Sequence, residues 1–427
     1  MAETHPISRS PQEARRMSIL ERIAKRAVYS RLDQLEEGRL TLRYRGDVRE
    51  FGSGSDPAAD VTVHEPAFFP AIAFGGHVGA GESFVEGGWE VDDLTSLIRI
   101  FARNRDVLDG LETGLARFSQ PARAALHAWN RNTRLGSRRN IVSHYDLGNA
   151  FFEQFLDETM TYSCGIFDNP HTSLRDASIE KYDRICRKLA LTPDDSVVEI
   201  GAGWGGFAIH AASTYGCRVT TTTISDEQYR LAANRLEESG LGDHVTLLQR
   251  DYRDLEGRFD KLVSIEMIEA VGHRYYGRYF QQCAKLLKPD GLAAIQAITI
   301  QDQYYESARR EVDFIKRYIF PGGCIPSVST LEAAAARTDL RLVHSEEFGP
   351  HYAETLRRWR SQFMTNWQAI RAQGFDDRFR RLWHFYLSYC EGGFEETLLG
   401  AKQLLFAKPQ ASSLLLERSG QPELAIP

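Results

Sequence analysis

The stretch Ser196-Val197-Val198-Glu199-Ile200-Gly201-Ala202-Gly203-Trp204-Gly205-Gly206 decides the fold. Val197 to Ile200 is an apolar run broken by one carboxylate, the pattern of a strand buried in a parallel sheet. It ends in a glycine-dense turn, and Phe207 to Ala212 has helical composition. A strand, a glycine turn and a helix make the first half of a nucleotide-type site. Glycine lets backbone close on a ligand, and a helix N-terminus offers free N–H groups. The plain alternative is a tight strand–helix turn that holds nothing.

Gly201, Gly203 and Gly206 nearly meet the dinucleotide pattern G-x-G-x-x-G, which is weak by itself. Glu199, just before the turn, suits an S-adenosylmethionine (SAM) site better. Downstream, Arg218 to Thr223, Val245 to Gln249, Lys261 to Ser264 and Leu292 to Ile300 read as strands. Ser225 to Glu238, with a Ser cap, and Gly272 to Leu287 read as helices. Strands alternating with helices predict an α/β fold, a Rossmann-like, doubly wound and mostly parallel sheet, over residues 140–408. Its ligand belongs at the carboxyl ends of the strands. Trp359, Phe363, Trp367, Phe379, Trp383, Phe385 and Tyr386 recur at near-helical spacing, which packing explains and which also suits an apolar ligand tunnel.

Upstream, residues 1–12 read as a polar, disordered tail and 13–118 as a smaller α+β domain. Within it Met17, Leu20, Ala24 and Val28 recur at spacings of three and four among Arg and Lys, which predicts a basic amphipathic helix. Such a helix is either a domain helix with a solvated face or a membrane-surface helix. Residues 119–139 form a basic linker holding Arg123, Arg131, Arg134, Arg138 and Arg139, either solvated or facing an anionic surface. Residues 409–427 read as a loose tail.

The 427 residues suit two domains, and 42% hydrophobic with 26% charged content is ordinary for a soluble chain. A net charge of −6 argues against nucleic-acid binding by bulk charge. The six cysteines are scattered, and no metal-ligand set stands out. No signal peptide and no run of ~18 apolar residues is visible, so a cytoplasmic chain is expected.

The motifs His144-Tyr145-Asp146-Leu147-Gly148-Asn149, Met160-Thr161-Tyr162-Ser163-Cys164, Glu199 to Gly206, Glu269-Ala270-Val271-Gly272-His273 and Tyr318-Ile319-Phe320-Pro321-Gly322-Gly323 occur in this order. With them the chain resembles the cyclopropane-fatty-acyl-phospholipid synthase family, which includes the mycolic-acid cyclopropane synthases. The resemblance implies that Tyr162, Ser163, Gly201, Gly203, Thr223, Ile224 and Gln228 touch SAM and that Tyr252 flanks its adenine. It implies that the SAM methyl goes to a cis double bond of a phospholipid acyl chain, forming a cyclopropane through a carbocation. A bound bicarbonate would then take the proton, cradled by Glu269, Tyr352 and the backbones of Cys164 and Ile298. Position 296 departs from the family's usual histidine: Gln296 can donate a hydrogen bond but brings no positive charge. Of Glu266 and Glu269, Glu269 is expected at the site and the other to be a surface or structural carboxylate. Cys164 is not expected to be a nucleophile, and His144 and His273 are expected to be structural.

The alternatives are a methylene- or methyl-branched fatty acid synthase working with a partner reductase, and a small-molecule methyltransferase. The N-terminal domain is expected to meet the membrane, at its inner face, or to form a homodimer.

Overall fold

The computed structural model describes residues 16–107 and 147–411. The basic linker, the His144-Tyr145-Asp146 motif, the first residues and the tail beyond 411 lie outside the described residues. The chain opens with α1 (Ile19–Leu32), started by a capping box in which Ser18 Oγ accepts from Glu21 N and the Glu21 carboxylate accepts from Ser18 N. Ala24, Val28 and Leu32 form its buried stripe. β1 (Arg39–Tyr44), β2 (Asp47–Phe51), β3 (Ala58–Val63) and β4 (Trp89–Val91) make a four-stranded sheet in the order β2-β1-β3-β4. Alternation in β1 and β3 puts Leu40, Leu42, Val61 and Val63 inward. Two helices cover this sheet: α2 (Phe68–Val85), kinked at Gly76 where φ is +56°, and α3 (Leu94–Arg103), capped by Asp93.

After α4 (Asn149–Phe152) and α5 (Leu174–Leu189) the seven-stranded sheet begins at β5 (Ser196–Ile200). It continues through α6 (Gly206–Tyr215), β6 (Arg218–Thr223), α7 (Asp226–Ser239, Ser225 cap), β7 (Val245–Gln249), β8 (Phe259–Ile265), α8 (Tyr276–Leu286) and β9 (Leu287–Ile300). Short helices α9 (Asp302–Arg310), α10 (Phe314–Tyr318) and α11 (Val328–Ala335) lead to β10 (Arg341–Glu347). The aromatic segments form α12 (Gly349–Thr365), α13 (Trp367–Ala372) and α14 (Asp377–Glu395), and β11 (Leu399–Ala407) closes the order β10-β11-β9-β8-β5-β6-β7. The run from β7 to β9 is parallel, as expected. β11 and β10 add an antiparallel edge that the sequence reading did not foresee.

Helices that follow the seven-stranded sheet complete the core of the N-terminal sheet. Phe314 and Phe385, from α10 and α14, are buried among the apolar side chains of the N-terminal sheet. Arg99 and Arg103 on α3 both pair with Glu396, just beyond α14, at 2.7 and 2.8 Å. The N-terminal part is therefore bound to the C-terminal part through the aromatic helix α14.

Candidate active site

The carboxyl ends of β5, β6, β7, β8 and β9 open on one cavity of about 570 Å³. The backbone of the glycine loop turns left-handed at Gly201, Gly203 and Gly205, with φ of +97°, +51° and +87°. A Cβ at Gly203 would meet nothing within 4 Å, so the loop faces open space. α6 starts directly after it with no side-chain cap, which leaves its first N–H groups to a ligand. Tyr162, Ser163, Thr223, Ile224, Gln228 and Tyr252 line the same cavity, so every residue expected to touch SAM is brought to one place. Thr223 Oγ1 donates to Gln228 Oε1 at 2.8 Å, and Tyr162 and Tyr386 share a hydroxyl hydrogen bond of 2.8 Å. Glu199 is buried, accepts from the Thr221 hydroxyl at 2.5 Å, and is pushed up to about 7 by burial. Glycine backbone, open space and this set of polar groups fit SAM, which when bound supplies an electrophilic methyl on a sulfonium.

Both Glu266 and Glu269, not just one of the two, line the cavity beyond the glycine loop. The donors expected around Glu269 divide between them. Glu266 Oε1 accepts from Cys164 N at 3.0 Å and from Gln296 Nε2 at 2.9 Å, and Glu266 Oε2 accepts from the Tyr352 hydroxyl at 2.5 Å. Glu269 Oε1 takes only Ile298 N, at 2.5 Å, and its Oε2 is buried without a hydrogen-bond partner. The reason is register. Ile265 pairs with Gln296 across β8 and β9, which sets Gln296 beside the next residue, Glu266.

Gln296 is held as a donor by a relay. Lys188 donates to Gln403 Oε1 at 2.6 Å, and Gln403 Nε2 donates to Gln296 Oε1 at 3.1 Å, which turns the Gln296 amide N toward Glu266. Burial raises both carboxyls above their usual range. Two side-chain donors and a backbone N–H pull Glu266 back down, whereas Glu269 has backbone donors alone and is pushed to about 8 by burial and by Glu266. The hydrogen bonds thus favour the anion on Glu266 over Glu269. A separate bicarbonate does not fit this arrangement, because the Tyr352, Cys164 and Gln296 donors expected to hold it are already on Glu266.

Glu266 also sits in left-handed backbone, φ +49°. That conformation costs a non-glycine residue about 1–2 kcal/mol. A charged side chain is kept where glycine would be easier.

The walls beyond the pair are aromatic and apolar. Tyr162, Phe320, Tyr352, Tyr386 and Phe394 line the cavity, with Tyr352 stacked on Phe394 at 4.4 Å between centroids. The same cavity is lined by Leu40, Val61, Phe68, Ile72 and Trp89, from inside the N-terminal part. Sequence reasoning gave that part no place in the site.

It also missed Lys181. Lys181 lies on the buried stripe of α5 with Ala177, Ser178 and Ile185, fully buried. Its ammonium donates to Ser163 Oγ at 2.7 Å, and burial lowers it to about 8. Cys164 is buried, donates to Gly165 O at 3.1 Å, and burial holds its thiol well above the usual range, which disfavours the thiolate. His273 Nδ1 and the Tyr305 hydroxyl share a hydrogen bond of 2.5 Å.

Residues 133–404 match the family described as mycolic acid cyclopropane synthetase. The chain is 38% identical over 390 residues to the tuberculostearic acid methyltransferase UfaA1 of Mycobacterium tuberculosis, covering 89% of this chain and 91% of that one. It is 36% identical over 369 residues to the cyclopropane-fatty-acyl-phospholipid synthase of Escherichia coli strain K12, covering 86% and 92%. Among solved structures it is similar to the mycolic acid cyclopropane synthase CmaA1 complexed with SAH and CTAB, with a TM-score of 0.60 and 28% identity over 64% of this chain and 98% of that one. The glycine cradle, the mostly parallel sheet and these likenesses agree: the chain belongs to the cyclopropane synthase family of SAM-dependent methyltransferases.

Proposed function

We propose that this enzyme transfers the SAM methyl to the cis double bond of an unsaturated phospholipid acyl chain and closes a cyclopropane ring. The observation that carries the reading is continuity. One cavity joins the glycine loop, the carboxylate pair and the apolar interior of the N-terminal part, room for a sulfonium at one end and a hydrocarbon chain at the other. An alkene is a poor nucleophile, so alignment in a dry pocket must supply much of the rate. The ring faces of Tyr162, Phe320, Tyr386 and Phe394 can stabilise the cation that methylation leaves without capturing it. Ring closure then needs a group that takes a proton from the added methyl.

The N-terminal part offers a way to reach the bilayer. Ile19, Leu20 and Ile23 are 69%, 54% and 54% exposed on α1, beside exposed Arg16, Arg22 and Arg26. An apolar tip ringed by arginine suits an anionic leaflet, with ~1 kcal/mol per basic residue near the surface. Among the described residues no helix is long and apolar enough to cross a membrane. In this reading α1 lies on the surface of the inner face rather than through it.

The likeness to the tuberculostearic acid methyltransferase favours a second reading. After the same methylation, a hydride shift and proton loss would leave a methylene branch for a partner reductase to saturate. The test is incubation with SAM and vesicles of cis-monounsaturated phospholipid, with saturated phospholipid as control. A mass gain of one CH2 on the unsaturated lipid alone is expected. Gain on neither lipid, or equally on both, would overturn the reading.

A further inference from the structure

We propose that the carboxylate of Glu266 is the built-in base of this enzyme, standing where a diffusible anion would otherwise be bound. The inference rests on the methyl-transfer reading above and deepens it.

The geometry is that of an oxyanion site already filled. Glu266 takes a backbone N–H, an amide N–H and a phenol O–H, shared over its two oxygens. It lines the cavity beside Tyr352, whereas Gln296 is fully buried and does not, so the amide donor approaches from behind and the carboxylate stays open to the cavity. The Lys188–Gln403–Gln296 relay leaves Gln296 no acceptor to offer a hydroxyl-bearing anion. Left-handed backbone at 266 means that the side chain is retained against local preference. The facing ionisable groups are Glu269, Tyr352, Cys164 and Lys181, and Lys181 is the one cation among them.

The step balances within the site. A C–H bond of the newly added methyl breaks, its proton goes to a Glu266 oxygen, and its electron pair forms the third ring C–C bond and discharges the cation. Glu266 returns the proton to solvent once the products leave.

Three measurements on the full chain test this. With wild type in buffer stripped of CO2, turnover of unsaturated phospholipid is expected within twofold of that in added bicarbonate. E266Q, neutral and nearly isosteric, is expected to lower kcat by about 10²–10⁴-fold while SAM binding by calorimetry stays unchanged. E266G relieves the left-handed backbone and clears the donor set, so its turnover is expected to be low without bicarbonate and to rise with its concentration. Wild-type turnover that needs bicarbonate, or E266Q at wild-type rate, overturns the proposal and leaves methyl transfer standing. No wild-type turnover at any bicarbonate concentration overturns the methyl-transfer reading and the proposal with it.

Discussion

The Tyr352 hydroxyl donates to Glu266 Oε2 at 2.5 Å, while Glu269 lies one turn further on with its Oε2 unpartnered. Two carboxyls three residues apart thus live in different environments, one with donors on both oxygens and one with a donor on a single oxygen. That asymmetry favours the negative charge of the pair on Glu266. Removing the Tyr352 donor should weaken it. Hydrogen bonds to charged groups contribute about 1.5–3 kcal/mol, so Tyr352→Phe should lower kcat roughly 10–150-fold. SAM affinity should not change, and steady-state kinetics with calorimetry would check both. A fall in SAM affinity alone would place Tyr352 in the cofactor half.

Glu269 gives the site a pH signature. Its carboxyl titrates at about 8 in the folded chain and near ~4.3 when unfolded. Between those values the folded state holds the extra proton, so this group makes stability fall as pH rises. Glu269→Gln keeps an acceptor for Ile298 N and removes the titration. The variant should match wild type near pH ~4.5 and gain up to about 1.4 kcal/mol per pH unit toward pH ~8. Thermal unfolding across that range reads the slope, and a constant offset would contradict the assignment.

Much of this was legible in the sequence. The Val197–Ile200 strand and its glycine turn announced the fold, because a buried parallel strand and a left-handed turn tolerate few other residues. The antiparallel edge was not. Leu399 to Ala407 is a short apolar run without a period, and only its pairing with β9 identifies it. The helix α2 was hidden by Gly75, Gly76, Gly79 and Gly81, whose poor propensity is overridden by close packing; a Cβ at Gly79 would stand 2.0 Å from Ala71 O.

The division of labour between Glu266 and Glu269 was illegible for another reason. Both follow β8, and which donors each receives depends on the β8–β9 register, a long-range property. Gln296 in place of a histidine was the available signal, since a neutral donor suits a protein carboxylate nearby.

At the glycine loop, Gly203→Ala adds a Cβ to the open face at φ +51°. Strain there should cost about 1–2 kcal/mol of stability. SAM binding should weaken at least about tenfold, since that Cβ enters the ligand's space; tenfold corresponds to ~1.4 kcal/mol. Calorimetry decides, and unchanged SAM affinity would remove Gly203 from the site.

The N-terminal wall should set acyl length. Ile72 lines the cavity from α2, and Ile72→Trp should shift turnover toward shorter acyl chains while leaving SAM binding intact. Competition between vesicle lipids of two chain lengths, read by lipid mass spectrometry, would show the shift. Equal turnover of both would mean that the chain does not reach this part.

The exposed tip of α1 should act only at a surface. Replacing Leu20 and Ile23 with Ser should reduce sedimentation with anionic vesicles several-fold and leave turnover of detergent-dispersed lipid unchanged. Equal loss in both assays would assign the helix a folding role.

The most direct measurement is NMR of phospholipid after turnover with SAM carrying a carbon-13 methyl. The account predicts that the label becomes a ring CH2 with high-field cyclopropane protons. Label found in an olefinic methylene or in an ordinary methyl branch would contradict ring closure, and label absent from the lipid would contradict methyl transfer to the acyl chain.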